Sequence, residues 1–104
     1  MNNEKKADPI TRKDFLALNF YKKTDFYGSC GNMNYRIGRR EKTDENEQTT
    51  AYFEVVYWPG PYIFAKTDEK LKQTADFPFT EEGIQAVADF LNEQYVKQQE
   101  LWKL

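Results

Sequence analysis

A cysteine set among glycines, a glutamate inside an apolar run and three closely spaced arginines carry most of the chemical potential of this 104-residue chain. Cys30 stands in Gly28-Ser29-Cys30-Gly31-Asn32, where small residues could present a thiol and backbone amides to a substrate. A nucleophilic cysteine needs a neighbour that holds it as thiolate, usually histidine, and the chain contains none. Cys30 therefore reads as an ordinary loop cysteine. The same segment lacks the lysine and following Ser/Thr of a phosphate-cradling loop. Glu54 sits in the middle of the apolar stretch Ala51 to Trp58, where burial could raise its pKa and make it a general acid or base. Pairing with Arg36 or Arg39 across a sheet is the plainer account. Asp44, Glu45 and Glu47 lack the spacing and central glycine of a calcium loop. No catalytic residue, metal or cofactor is assigned.

Arg36, Arg39 and Arg40, with Lys42 behind them and Tyr35 and Tyr57 nearby, make the case for nucleic acid, because sheets bind single strands by stacking bases on aromatics and tracking phosphates with cations. Against it, the consensus of an RNA-recognition sheet is missing. Charge is also uneven: residues 1–42 hold ten basic and five acidic residues, and residues 43–104 hold five and twelve. The acidic second half opposes a broad phosphate contact, and the net charge of −2 gives no general attraction to polyanions or anionic membranes.

The elements that must position these residues follow from periodicity. Residues 1–9 are polar and predict a disordered tail, leaving 10–104 as a single domain. Ile10, Thr11, Asp14 and Phe15 have the spacing of a staple and a capping box, so a short helix is expected over 12–19. Gly28 to Asn32 predicts a turn, and Met33, Tyr35 and Ile37 alternate with polar residues as a strand reaching 40 or 41. Lys42 to Thr50 predicts a mobile connection. Ala51 to Trp58, apolar on both faces apart from Glu54, predicts a central strand. Trp58-Pro59-Gly60-Pro61 then reads as a tight turn into a partner strand at 62–65, and Leu71 to Phe77 as a fourth strand or a loop with one helical turn. Thr80 caps a final helix running to Leu104, with Phe79 and Ile84 as its staple, Glu81 and Glu82 at the positive end of its dipole, and Ile84, Val87, Ala88, Leu91, Tyr95 and Trp102 along its apolar stripe. The fold class is α+β: an antiparallel three- or four-stranded meander with a short N-terminal helix and a long C-terminal helix packed across it.

Eight Phe, seven Tyr and two Trp supply much of the buried area. If the long helix covers one side of the sheet, the other needs a cover that the first helix is too short to provide in full. Tyr35, Arg36, Arg39, Arg40, Tyr57, Trp58 and Tyr62 are thus candidates for an interaction surface, completed by a protein partner or a homodimer. A single cysteine and no run approaching the roughly 20 apolar residues of a membrane span favour a cytoplasmic protein. The phrases Phe15-Leu16-Ala17-Leu18-Asn19-Phe20-Tyr21, Trp58-Pro59-Gly60-Pro61 and Phe77-Pro78-Phe79-Thr80-Glu81-Glu82-Gly83-Ile84 with Leu91-Asn92-Glu93-Gln94-Tyr95 resemble small uncharacterised proteins encoded on conjugative-transposon-like elements of gut Firmicutes. That resemblance implies a bacterial accessory protein and brings no active site with it. The reading reached is a non-enzymatic protein-binding module, with a nucleic-acid-associated factor as the alternative and a small enzyme third.

Overall fold

The computed structural model describes residues 9–60 and 63–102. Four antiparallel strands, β1 (Phe26–Cys30), β2 (Met33–Thr43), β3 (Thr49–Pro59) and β4 (Gln73–Pro78), form one sheet in the order β1-β2-β3-β4, followed by α1 (Glu81–Lys97) and a short α2 (Gln99–Trp102). This is the expected α+β meander with its C-terminal helix packed on one face.

Register decides what each face shows. On the front, Gly28, Tyr35, Tyr57 and Gln73 form one cross-strand row, and Phe26, Ile37, Val55 and Ala75 form the next. Onto these rows α1 lays Ile84, Val87, Ala88 and Leu91, all fully buried. Thr80 starts α1 as its sequence indicates, its hydroxyl accepting from the Gly83 amide at 2.8 Å. Burial of Ile84, Val87 and Leu91 against the sheet, worth about 1.5–3 kcal/mol each, is the main term holding the two layers together.

Several expectations are corrected. The N-terminal segment forms no helix over 12–19. It makes two 3-10 turns, Arg12–Asp14 and Leu18–Lys22. Phe15 and Tyr21 must both enter the core, and six residues apart on a continuous helix they would point about 120° away from each other. An extended Phe15, at φ −104° and ψ 165°, breaks the helix and inserts its ring against Phe26 and Tyr35. Asn92 anchors this segment to α1, accepting from the Ile10 amide and donating to the Ile10 carbonyl at 2.8 Å each. The segment therefore seals the helix side of the sheet, and it is not the cover of the back.

The segment read as a turn from Gly28 is mostly strand. Only Gly31 and Asn32 connect β1 to β2, with Gly31 at φ 58°, as a two-residue type II′ loop requires at its first central position. Cys30 is accordingly a buried strand residue beside Met33, not a loop cysteine. Of the partner strand expected at 62–65, the described residues 63–65 do not pair with β3. Phe64–Lys66 is a 3-10 turn, and the strand beside β3 is β4. Residues 61 and 62 lie outside the described residues, as do residues 1–8 of the tail expected at 1–9. The final helix does not run unbroken to Leu104: α1 ends at Lys97, and Gln98 leaves helical geometry. Two contacts favour that break, since the Gln98 amide group bonds Gln73 on β4, and Trp102 turns in to meet the Tyr57 ring at 6.5 Å.

The stretch 42–50 is more ordered than a mobile connection. β2 and β3 stay paired to Thr43 and Thr49, and the Asp44 carboxylate accepts from the amides of Asn46 and Gln48. Glu47 closes the loop at φ 62°, a left-handed conformation that costs a side-chain-bearing residue. Glu47→Gly is expected to raise stability by about 0.5–1 kcal/mol, read from the midpoint of chemical unfolding. No gain would mean that the loop does not hold this geometry in solution.

Candidate functional site

The back of the sheet divides into two zones. Strand alternation places Tyr27, Ser29, Asn34, Arg36, Arg40, Tyr52, Glu54, Val56 and Trp58 on that face. Its middle is charged. Arg36 donates to Glu54 at 3.1 Å and stands 3.7 Å from Asp25, while Arg40 makes a two-pronged contact with Asp25 at 2.9 and 3.1 Å and reaches Glu54 at 3.4 Å. Asp25 occupies the space over Gly38, where a Cβ would run into its carboxylate and the Arg40 guanidinium. Two arginines and two carboxylates thus compensate one another in a half-buried layer.

That compensation settles the chemistry of Glu54 and Asp25. The hydrogen bond from Arg40 holds the Asp25 carboxyl below its usual range, against the opposing effect of burial. Glu54, the candidate acid or base, accepts from Arg36 and is ion-paired with Arg40, so its carboxylate is committed to structure.

The second zone is apolar. Trp58 is buried and meets Phe64 edge to face at 5.4 Å. Phe64 comes from the 3-10 turn after β3, and its ring takes the Arg36 guanidinium at 4.3 Å and the Lys72 ammonium at 3.8 Å. The segment from Ile63 to Lys72 is therefore the real cover of the back, and it covers only part. Between it and β1 lies an open pocket of about 400 Å³ whose lining includes Tyr27, Gly28, Asn34, Tyr35, Trp58, Ile63 and Phe64. Tyr27 and Ile63, at its rim, are 59% and 67% exposed, among the most exposed large apolar side chains described.

The residues singled out from sequence do not form one surface. Arg36 and Arg40 share the back, whereas Arg39 faces the helix side, bonding Glu41 at 2.8 Å and standing over Phe79 at 5.2 Å. Tyr57 is buried against Phe90 and Trp102 and Tyr35 against Phe15 and Phe26, so neither offers an exposed ring to a base. Burial pushes the Tyr35 phenol up to about 12, and Tyr57 is raised by the same cause. Gly28 makes room for Tyr35, since a Cβ there would stand 2.6 Å from the phenol oxygen. Tyr35 and Trp58 do both contribute to the pocket lining, and Tyr62 lies outside the described residues. Sequence reasoning missed Asp25, Tyr27, Asn34, Ile63 and Phe64. The signal for Tyr27 was present in the alternation of Phe26, Gly28 and Cys30 with Tyr27 and Ser29, masked by two glycines.

Among the described residues, no three of Cys, Asp and Glu gather where a metal could be held, and no helix is long and apolar enough to cross a membrane. No protein family, curated protein or solved structure matches the chain.

The Asp25 shift gives a pH prediction. A carboxyl whose pKa is depressed on folding contributes stability that is present above its unfolded pKa and is lost as pH falls through the folded value. The loss therefore begins near pH 4 and continues below it. Asp25→Asn should lower stability at pH 7 and flatten that acid limb in unfolding curves taken at a series of pH values. An unchanged limb would show that the Arg40 contact does not persist in solution.

Proposed function

We propose that this chain is a non-enzymatic binding module that recognises a protein segment through the pocket framed by Tyr27, Asn34, Trp58, Ile63 and Phe64. The observation that carries the reading is the pairing of an open apolar cavity with two rim side chains, Tyr27 and Ile63, that are mostly exposed. Such side chains cost little to order and gain most from burial against a partner. Asn34 is the amide side chain in the lining and suits orientation of a peptide group more than proton transfer. The titratable groups of the lining are tyrosines, and the nearby carboxylates are committed to arginine. Both facts support binding over catalysis. The accessory role in a bacterial cytoplasm, implied by the resemblance to mobile-element proteins, belongs to the same proposal.

Selection from a random peptide library tests it. Enriched peptides should carry a large aromatic or aliphatic anchor, and Tyr27→Asp and Ile63→Asp should each weaken them roughly tenfold or more. Failure to enrich any peptide, or peptides indifferent to both substitutions, would remove the reading.

A further inference from the structure

The two edges of the sheet are protected unequally. β4 carries Asp76 and ends on Pro78, a charge and a missing amide that discourage strand addition. β1 reads Phe-Tyr-Gly-Ser-Cys, with neither charge nor proline. Among the described residues, the backbone ladder on Phe26–Ser29 is the one to β2. This bare edge borders the pocket, because Tyr27 and Gly28 line both.

We infer that β1 pairs antiparallel with β1 of a second copy, about a two-fold axis at Gly28, so that each Tyr27 enters the pocket of the other copy. Register carries the argument. An axis perpendicular to the sheet keeps back against back, and centred on Gly28 it sets Tyr27 of one copy opposite Ser29 of the other. Ser29 pairs with Asn34, and Asn34 with Trp58, so the row running inward from the incoming tyrosine is Ser29, Asn34, Trp58. Ser29 is small and exposed and raises no obstacle. Asn34 lies one strand spacing further, about 4.8 Å, within reach of an aromatic ring. Two of the side chains along this row, Asn34 and Trp58, line the pocket.

The chemistry of the occupant follows from the same strand. The pocket requires an extended, uncharged segment bearing an aromatic anchor on the face that continues the back of the sheet, and β1 is such a segment. One symmetry operation buries both exposed tyrosines, fills both pockets and closes both unprotected edges. The product is a continuous eight-stranded sheet with β4 at each end.

This inference rests on the binding surface proposed above. Sedimentation velocity on the full chain from micromolar to millimolar concentration should show a monomer–dimer equilibrium. Tyr27→Lys and Ser29→Lys place a charge on an exposed position of the edge, and each should weaken dimerisation roughly tenfold or more while leaving the thermal midpoint unchanged at concentrations where the wild type is monomeric. Register is read by mixing a Tyr27→Cys protein with a Ser29→Cys protein under mild oxidation. The mixed disulfide should outrun either homodimeric one. A monomer throughout the range, a dimer indifferent to both lysines, or cross-linking without preference for the mixed pair would each overturn the inference. The peptide selection separates the two levels: a monomer whose selected peptides still weaken with Tyr27→Asp loses the self-pairing alone, and peptides indifferent to both pocket substitutions remove the surface itself.

Discussion

Everything in this fold answers to β3, a central strand whose two faces both need cover. Phe53, Val55 and Tyr57 point to the front and Val56 and Trp58 to the back, all of them buried. Among the described residues one helix is long enough to cover a sheet face, and α1 is spent on the front. The back is dealt with piecemeal. Its centre is made polar and self-neutralising, its upper corner is roofed by Phe64, and the remainder stays open to solvent. The pocket thus lies where the roof built by Ile63 and Phe64 stops short of β1.

The charged centre shows why those arginines are not a general-purpose patch. A guanidinium moved out of water costs several kcal/mol unless it is compensated, and the compensation here is Glu54 on β3, Asp25 just before β1 and an aromatic face. Arg36 reaches Glu54, Asp25 and the Phe64 ring from one position on β2. To bind phosphate, these groups would have to give up the carboxylates that already neutralise their charge. Arg39, one residue further along than the alternation allows, is turned to the other side of the sheet. Proximity in sequence therefore overstated proximity in space, because a strand sends neighbouring residues to opposite faces.

What was legible in the sequence is what local physics dictates. Thr80 with Glu81 and Glu82 announced a helix start, the alternation of Met33, Tyr35 and Ile37 announced a strand, and the double-sided apolar run of β3 announced its central place. The misread elements are those decided by distant contacts. β1 looks like a turn because Gly28 contributes no side chain, and only the Tyr35 ring from the neighbouring strand explains the gap. The 3-10 turn at Phe64 looks like a strand because Ile63 and Phe64 are good strand residues, yet Phe64 is drawn out of the sheet plane by Trp58, Arg36 and Lys72. The helix 12–19 fails for the same kind of reason, with Phe15 and Tyr21 competing for core positions that one helical face cannot supply together.

The pocket inherits this dependence. Its floor, Trp58, was visible as an aromatic on the central strand, but its walls come from β1 and from the 3-10 segment, the two elements whose identity tertiary contacts decide. A site assembled in this way needs no conspicuous motif. Gly28 gives its front-face space to Tyr35, Ser29 leaves the back of the same strand low, and Phe64 stands up opposite them. The step between a low edge strand and a raised aromatic roof is the cavity, so its depth is set by small residues as much as by large ones. Filling that step from the β1 side extends the hydrogen-bonded sheet and buries aromatic surface in a single event, whereas a ligand arriving from above the roof would gain the second without the first. Strand addition is the approach from which this corner of the molecule has most to gain.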